Sequence, residues 1–205
     1  MRTVIVDYGM GNLRSIQKKV LIHDPNAIIS GKSRDIFLAH RLILPGVGHF
    51  SKGISNIKTR GLLKPLNDRV VNNGIPVLGI CLGMQLMANK SEEGNDNGLG
   101  WIKADAIKFK IEDTVKFKVP HIGWNSLSIK KKSELFRNIP SNALFYFIHS
   151  FYLECHNHDD IIAYTEYEAS FASVIQKKNI LGVQFHPEKS HDLGMALLEN
   201  FFKNF

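Results

Sequence analysis

Short apolar runs, rich in β-branched residues and bounded by Gly, Pro and Asn, recur along the first half of the chain. They cover residues 3–6, 42–44 and 77–80. Runs that are apolar at every position are typical of parallel strands buried on both faces. Stretches with helical periodicity, residues 13–20 and 62–71, lie between them. This alternation predicts a parallel sheet with helices packed on its faces.

The second half of the chain has strand-like segments that follow one another without intervening helices. A hairpin turn is predicted at Lys178-Asn179. A final helix is predicted to run to about Phe202, with Ser190 or Asp192 as its N-cap. The strand-like segments are WNSLSI, ALFYF, IIAYTEY, FASVIQ and ILGVQF. They predict an antiparallel extension of the sheet in the C-terminal half.

The length and composition indicate a single globular domain. The chain has 205 residues, 44% of them hydrophobic and 22% charged, which fits one domain with a substantial core. We therefore predict an α/β fold over residues 1–205, with an open, mostly parallel central sheet flanked by helices. No segment approaches the roughly 18 apolar residues of a membrane span. The two cysteines, Cys81 and Cys155, suggest no disulfide framework, so a cytoplasmic location without membrane contact is expected.

The basic charge does not by itself identify a partner. The formal net charge is +7, which would suit nucleic acid, phosphorylated metabolites or an acidic protein. The lysines are scattered, however, and the longest run is only residues 130–132. Because no aromatic residues interleave with a basic stripe, nucleic-acid binding is not expected.

A candidate nucleophile lies in the sequence Gly79-Ile80-Cys81-Leu82-Gly83. This pattern follows a predicted strand, precedes the helix-like segment GMQLMAN, and matches the G-x-nucleophile-x-G turn with sulfur in place of a serine oxygen. The glycines permit a tight turn, and the N-terminus of the following helix favours the thiolate. A buried structural cysteine is the alternative, and it is the interpretation kept for Cys155.

A candidate proton-transfer pair follows the last predicted strand, in the sequence Phe185-His186-Pro187-Glu188. Pro187 favours an extended His186, so the imidazole could reach a thiol while Glu188 binds its other nitrogen. A surface histidine beside a solvated glutamate is the alternative. The other histidines lack the spacing of metal ligands, so neither a metal nor a cofactor is expected.

These motifs resemble those of the class I, triad-type glutamine amidotransferases, whose nucleophile and base motifs are similar to GICLGMQ and GVQFHPE. Within that family, DYGMGN, PGVG, PHIGWN, YFIHS and FHPEKS resemble the glutaminase subunits of imidazole glycerol phosphate synthase. The resemblance spans residues 3–190. It implies that glutamine is hydrolysed to glutamate and ammonia without a cofactor. It also implies delivery of the ammonia to a (β/α)8 cyclase subunit, which makes imidazole glycerol phosphate and AICAR in histidine biosynthesis.

The resemblance also implies roles for residues around the nucleophile. The backbone N–H of Leu82 should donate to the oxyanion, and a second donor is expected from the turn that contains Val47 and Gly48. The two glycines around Val47 permit a peptide flip, so we expect the oxyanion hole to be completed only when a partner binds.

Glutamine binding is carried over to four positions, and one of them departs from the family pattern. Gln85 and the backbone around His149, Ser150 and Phe151 match positions that bind glutamine in the family. Phe151 stands where the family usually has tyrosine, so no hydroxyl contact is expected from that side chain. Without the resemblance, Gln85 would be interpreted equally well as an ordinary residue of a first helical turn.

A further set of residues matches the family's cyclase interface and ammonia passage: Asn12, Pro120, Trp124, Tyr146 and Lys189. Trp and Tyr are also favoured energetically at protein interfaces. A core position for Trp124 and an ordinary solvated side chain for Lys189 are the alternatives.

Three other functions are compatible with parts of the sequence. The chain could feed ammonia to an enzyme that modifies surface-polysaccharide sugars, since GLGWIKAD and FYLECHNHDD are unusual segments. A cysteine peptidase or esterase could use the same nucleophile turn. A noncatalytic scaffold is disfavoured because all three triad positions are filled. Dinucleotide binding at residues 9–14 is not expected, because Arg14 replaces the third glycine of that motif.

Overall fold

The structure, a computed structural model, describes residues 2–205 and contains thirteen strands and six α-helices within that range. The strands are β1 (Thr3–Val6), β2 (Ile28–Ser30), β3 (Arg41–Gly46), β4 (Val77–Cys81), β5 (Lys90–Ser91), β6 (Ala104–Lys108), β7 (His121–Ser126), β8 (Ser128–Ile129), β9 (Leu144–His149), β10 (Phe151–Cys155), β11 (Ile161–Tyr167), β12 (Ala169–Lys177) and β13 (Ile180–Val183). The helices are α1 (Leu13–Val20), α2 (Ser33–Phe37), α3 (Phe50–Thr59), α4 (Leu63–Asn67), α5 (Leu82–Gln85) and α6 (His191–Asn204).

The large sheet has a parallel half and an antiparallel half, as the sequence predicts. Its main strand order is β2-β1-β3-β4-β13-β12-β10-β6-β5. The pairs from β2 to β13 are parallel. Strand β12 is antiparallel to both β13 and β10, and a separate two-stranded sheet pairs β7 with β9. The turn at Lys178-Asn179 joins β12 to β13, with Lys178 at φ 54°. The predicted fold class is therefore confirmed.

Helices cover both faces of the parallel half, because the central residues of its strands are apolar on both faces. In β3, Leu42 and Leu44 lie in the core beneath α3 and α4, whereas Ile43 lies in the core on the opposite face. That second core includes Ile16 of α1 and Phe201 of α6. Successive side chains of a strand point to opposite faces, so a strand between two helical layers must be apolar throughout.

Strand β4 lies between β3 and β13, and this position determines where the functional residues meet. Ile80 pairs with Val183 in parallel register, and Cys81 pairs with Gly46 at the end of β3. The carboxyl ends of three adjacent strands therefore lie at the same edge of the sheet, which is where open α/β sheets bind their ligands.

The helices depart from the sequence prediction in three places. Residues 62–71 form two shorter segments, α4 and the π-helical turn Asp68–Asn72. Helix α5 has only four residues, because Ala88 N–H bonds to the carbonyl of Gln85 and the chain then turns toward β5. Ser190 precedes α6 as predicted, but its hydroxyl donates to the carbonyl of His186 (2.7 Å) and does not cap the helix.

None of the helices within residues 2–205 has the length and apolar character needed to cross a membrane. The same part of the chain contains no group of three or more His, Cys, Asp or Glu side chains arranged to hold a metal ion.

Candidate active site

Cys81 occupies a strained turn between β4 and α5. Its backbone has φ 53° and ψ −110°, a region that a residue with a Cβ rarely adopts. A Cβ at position 83 would lie 1.7 Å from the carbonyl oxygen of Leu44, and one at position 79 would lie 2.8 Å from the nitrogen of Met84. The glycines on either side of the cysteine are therefore required by close backbone packing, as the G-x-C-x-G pattern predicts.

The helix after the nucleophile is a single turn, which changes one part of the sequence interpretation. A helix dipole arises from the alignment of many peptide units, and α5 contains only Leu82–Gln85. The predicted stabilisation of the thiolate is therefore limited to the free N–H groups of one helical turn. Polar contacts to the Cys81 sulfur also come from other segments. The Gln184 side-chain amide lies 3.6 Å from Sγ, and the thiol points to the carbonyl oxygen of Ile148 at 3.8 Å.

His186 and Glu188 form a buried pair beside Cys81. Nδ1 of His186 lies 2.8 Å from Oε1 of Glu188, and both side chains are at most 3% exposed. His186 is extended, and Pro187 begins a 3-10 turn over Pro187–Lys189 that returns the Glu188 carboxylate to the imidazole. Glu188 therefore reaches His186 from a tight turn and not from a continuing strand.

The electrostatic setting of His186 favours the imidazolium. Burial alone would lower its pKa, but the interactions with Cys81 and with Glu188 outweigh burial and raise the pKa to about 9. Nε2 is buried and has no hydrogen-bond partner within the described part of the chain. This arrangement can hold a proton on an imidazole that lies between a thiol and a carboxylate.

A pocket of about 580 Å³ opens at Cys81 and is lined by most of the predicted site residues. This volume is within the range typical of small-molecule sites. The pocket is lined by Val47, Gly48, His49, Cys81, Leu82, Gln85, Glu93, Pro120, Ile148, His149, Ser150, Phe151 and Lys189. All of the residues predicted for the oxyanion hole and for glutamine binding lie in this pocket.

The two donors predicted for the oxyanion hole come from different segments at the pocket wall. Leu82 begins α5 directly after the nucleophile, and Val47 and Gly48 follow β3, with Gly48 at φ 115°. The buried Tyr8 hydroxyl donates to the carbonyl of Pro45 at 2.6 Å. Burial and the neighbouring Cys81 raise the pKa of Tyr8, so the phenol stays protonated. This hydrogen bond fixes the start of the turn at Pro45. The middle of the turn has fewer contacts, because Val47 is 42% exposed.

The side chains of Gln85 and His149 are both engaged with the backbone of Phe151. Nε2 of Gln85 donates to the Phe151 carbonyl (2.8 Å) and to Oε1 of Gln184 (3.0 Å). The His149 ring contacts the same carbonyl through Nδ1 at 2.8 Å, and Nε2 lies 3.1 Å from Nδ1 of His121. Both acceptor sites of the Phe151 carbonyl are occupied. A backbone contact between position 151 and a ligand would therefore have to use its N–H group.

A second cavity of about 80 Å³ lies against His186 and Glu188. It is lined by Asn12, Ile16, Gly46, Val47, Ile80, His186, Glu188 and Lys189. Val47 and Lys189 line both cavities, so the two adjoin each other. Of the residues predicted for the ammonia passage, Asn12 and Lys189 lie at this smaller cavity, and Pro120 lies at the larger one.

Trp124 and Tyr146 lie beside these cavities, on paired positions of β7 and β9. Their rings are 5.9 Å apart, and the Lys189 ammonium lies 5.6 Å from the centre of the Tyr146 ring. Trp124 stacks on His191 and is 45% exposed, so it is not a core residue. Trp124 therefore exposes aromatic surface beside Tyr146, whose carbonyl accepts the His186 N–H.

Glu93 is a pocket residue that the sequence interpretation missed. It is the only acidic side chain that lines the larger pocket within the described part of the chain. Its Oε2 accepts a hydrogen bond from the Phe50 N–H at 2.7 Å. Glu93 lies in a polar loop without a recognisable motif, so no local signal separates it from an ordinary surface glutamate.

The family of the chain follows from comparison with known proteins. A family model described as "Glutamine amidotransferase class-I" matches residues 5–205. The chain belongs to this family. Among curated relatives of this amidotransferase, imidazole glycerol phosphate synthase subunit HisH 2 of Methanococcus maripaludis is 50% identical over 199 residues, covering 97% of this chain and 98% of that protein. Subunit HisH of Methanocaldococcus jannaschii is 44% identical over 198 residues, covering 96% of each.

Solved structures support the amidotransferase fold at lower identity. A putative GMP synthase protein from Thermoplasma acidophilum superposes with a TM-score of 0.72 at 19% identity, covering 98% of this chain and 92% of that one. The glutaminase domain of Trypanosoma brucei CTPS, with bound acivicin, gives a TM-score of 0.64 at 18% identity, covering 98% and 92% respectively. At these identities the likeness concerns the fold alone.

Proposed function

We propose that this chain is the glutaminase subunit of imidazole glycerol phosphate synthase. It hydrolyses glutamine to glutamate and ammonia and passes the ammonia to a (β/α)8 cyclase subunit in histidine biosynthesis. The observation that carries the proposal is the placement of Cys81, His186 and Glu188 at one edge of the sheet, beside a pocket of small-molecule size. Near full-length relatives at 50% and 44% identity bear the synthase name.

In this proposal Glu93 orients the glutamine substrate. Its carboxylate lines the pocket that contains Cys81, and a carboxylate is the complement of the α-ammonium group of an amino acid. Gln85 contacts the substrate through its side-chain oxygen, because its amide NH₂ group is already bonded to Phe151 and Gln184 while Gln85 lines the pocket. It holds the pocket wall in place, and Ser150 and the Phe151 N–H remain for contact with the substrate.

The reaction begins with attack of the Cys81 thiolate on the carboxamide carbon of glutamine, which forms a C–S bond and places negative charge on the oxygen. The Leu82 N–H donates to that oxygen. His186, protonated on Nε2, gives its proton to the departing nitrogen, so ammonia leaves and a thioester remains. The imidazole then removes a proton from water, which attacks the thioester and releases glutamate. Glu188 holds Nδ1 and stabilises the imidazolium.

The second oxyanion donor is proposed to depend on the partner subunit. The Tyr8 hydroxyl holds the Pro45 carbonyl at the start of the turn, whereas Val47 is exposed and Gly48 has a positive φ. A rotation of the Val47-Gly48 peptide is therefore sterically accessible. Docking of the cyclase would stabilise the rotated form, so free glutaminase would be slow.

The proposed route for ammonia leads from the triad to the face that carries Trp124 and Tyr146. The small cavity lined by Asn12, His186 and Lys189 begins at the imidazole that protonates the leaving nitrogen. Lys189 lies both at this cavity and over the Tyr146 ring. We propose that the cyclase docks on this face and continues the passage. A single amidotransferase domain over residues 1–205 and a cytoplasmic location belong to the same proposal.

The test uses the chain together with a candidate cyclase and its phosphoribosyl substrate, with glutamine or an ammonium salt as the nitrogen source. Cys81→Ala should abolish synthesis from glutamine and keep synthesis from ammonium. Cys155→Ala is the matched control, because Cys155 is a buried free thiol in β10, three strands from β4, and does not line the pocket at Cys81. Glutamine-dependent synthesis that survives Cys81→Ala would refute the glutaminase role. Failure to support any cyclase, with glutamine hydrolysis intact, would favour a sugar-modifying partner.

A further inference from the structure

Gln184 is a fully buried polar residue that has no role in the proposed reaction steps. It follows β13 directly, and its backbone N–H donates to the Ser173 carbonyl of β12 at 2.9 Å, which extends the strand pairing by one residue. Its side chain reaches the nucleophile, with Nε2 3.6 Å from the Cys81 sulfur. Its other end, Oε1, lies 3.0 Å from Nε2 of Gln85.

The orientation of this amide follows from the chain of hydrogen bonds behind it. The carbonyl of Phe151 can only accept a hydrogen bond, so Gln85 must present its NH₂ group there. The second N–H of the same group then points at Gln184. Gln184 must therefore turn its oxygen toward Gln85 and its NH₂ group toward Cys81. In this orientation Gln184 can donate to the sulfur and cannot accept from it.

A pair of buried histidines holds the end of this chain that is remote from Cys81. Burial lowers the pKa of His149 to about 3 and that of His121 to about 4, so both rings are neutral near pH 7. Nδ1 of His149 must carry the proton that reaches the Phe151 carbonyl. Its Nε2 then accepts from Nδ1 of His121 at 3.1 Å. Because the Phe151 carbonyl already receives two hydrogen bonds, neither Gln85 nor His149 can reverse without leaving an acceptor facing an acceptor.

We propose that Gln184 donates an N–H···S hydrogen bond that stabilises the thiolate of Cys81 before attack. The inference rests on Cys81 being the nucleophile in the proposed function. A thiol enclosed by apolar groups resists ionisation, and a donor aimed at the sulfur favours the charged form. Helix α5 has a single turn, so the Gln184 donor adds to the few free N–H groups at the start of that turn. The hydrogen-bonded chain from Phe151 through Gln85 thus holds a side-chain donor in a fixed orientation at the sulfur.

The first test measures alkylation of the free chain by iodoacetamide between pH 5 and pH 10, without glutamine. The thiolate forms a C–S bond and iodide leaves, so the rate follows the thiolate fraction. Cys155 is silent because burial raises its pKa to about 12, and Cys81→Ala provides the blank. Gln184→Met keeps the side-chain length without the donor, and Gln184→Glu places an acceptor against the sulfur.

At pH 7 we expect alkylation to be about tenfold slower in Gln184→Met and slower still in Gln184→Glu, with the midpoint of the pH profile moved upward by about one unit. The matched control is Ser173→Ala, which removes a buried hydroxyl next to Gln184 that bonds to Ala163 and not to the sulfur. This control should leave the profile unchanged. Wild-type profiles in both Gln184 variants, or an equal shift in Ser173→Ala, would overturn the proposal.

A second measurement needs no substitution at position 184. In the ¹⁵N-labelled wild-type chain, the side-chain NH₂ resonances of Gln184 should titrate with the same midpoint as alkylation, and this titration should vanish in Cys81→Ala. Resonances that do not move across the alkylation midpoint would refute the donor role even if the Gln184 variants do not fold. Neither readout involves glutamine, so loss of the proposed glutaminase function with a normal alkylation shift would leave this inference standing.

Discussion

The His186–Glu188 pair makes a prediction that joins stability and catalysis. Replacing Glu188 by Gln keeps the shape of the side chain but removes the negative charge 2.8 Å from Nδ1 of His186. Both groups are buried, so solvent screens this change little. The variant therefore tests whether the carboxylate sets the protonation and tautomer of the imidazole.

The magnitude follows from the raised pKa of His186. A rise from 6.5 to about 9 corresponds to about 3 kcal/mol of preference for the imidazolium, shared between Cys81 and Glu188. Because the folded pKa is higher than the unfolded one, this stability is fully present below about pH 6.5 and is lost as the pH rises through about 9. Glu188→Gln should remove the carboxylate's share while the burial penalty stays, so the pH-dependent loss should shrink to less than half.

The effect on catalysis should be larger than the effect on stability. An amide in place of the carboxylate can donate to Nδ1 and fix the wrong tautomer, and such a change costs on the order of 10⁴ in rate in a serine triad. We expect a loss of about 10² to 10⁴ in kcat for glutamine hydrolysis by the complex. The two assays are glutamate release at saturating glutamine and urea unfolding at pH 6 and pH 9.

Two outcomes would refute this reasoning. If Glu188→Gln hydrolyses glutamine within about threefold of the wild type, the carboxylate does not orient the base. If the difference in unfolding free energy between pH 6 and pH 9 is the same in both proteins, Glu188 does not contribute to the raised pKa of His186. Cys81→Ala is the companion variant, since it removes the other contribution and leaves the ion pair intact.

Three further predictions concern the turn, the pocket and the interface. Tyr8→Phe removes the buried hydrogen bond to the Pro45 carbonyl, so the free energy of unfolding in urea should fall by about 1 to 3 kcal/mol. The partner-stimulated kcat should also fall, and an unchanged kcat would show that the turn needs no anchor. Glu93→Gln should raise the KM for glutamine at least about tenfold if the carboxylate binds the α-ammonium group, with little effect on kcat; an unchanged KM would exclude that contact. Trp124→Ala should weaken binding of the cyclase by about 2 kcal/mol, measured by calorimetric titration, without loss of folding. The control is Phe37→Ala, at an aromatic residue of α2 that is 57% exposed, and it should leave the binding free energy unchanged.

The nucleophile turn and the parallel half of the sheet could be predicted because their signals are local. The glycines around Cys81 are required by contacts within the same turn and with the adjacent strand. The apolar runs of β1, β3 and β4 reflect burial on both faces. Strands β6 and β10 carry no such signal, because they lie toward the edge of the sheet and include charged residues such as Asp105 and Glu154.

The polar surroundings of the sulfur could not be predicted, because they arise from pairing between distant segments. Gln85 is separated from Phe151 by 66 positions and from Gln184 by 99, yet the three residues form consecutive hydrogen bonds. Each of these side chains has an ordinary local setting. Glu93 and the His121–His149 pair are comparable cases, since their roles depend on loops brought together by the fold.

The arrangement around Cys81 separates fixed groups from one movable group. His186 is held by Glu188, the Gln184 amide is oriented by a relay that ends at two neutral histidines, and Leu82 is held in α5. These groups are buried, and reorganising any of them would leave a polar atom without a partner. The turn at Val47-Gly48 is different, because only its beginning is anchored and its middle is exposed. Regulation by a partner should therefore act through this turn, and a partner that binds without moving it should leave the rate of glutamine hydrolysis unchanged.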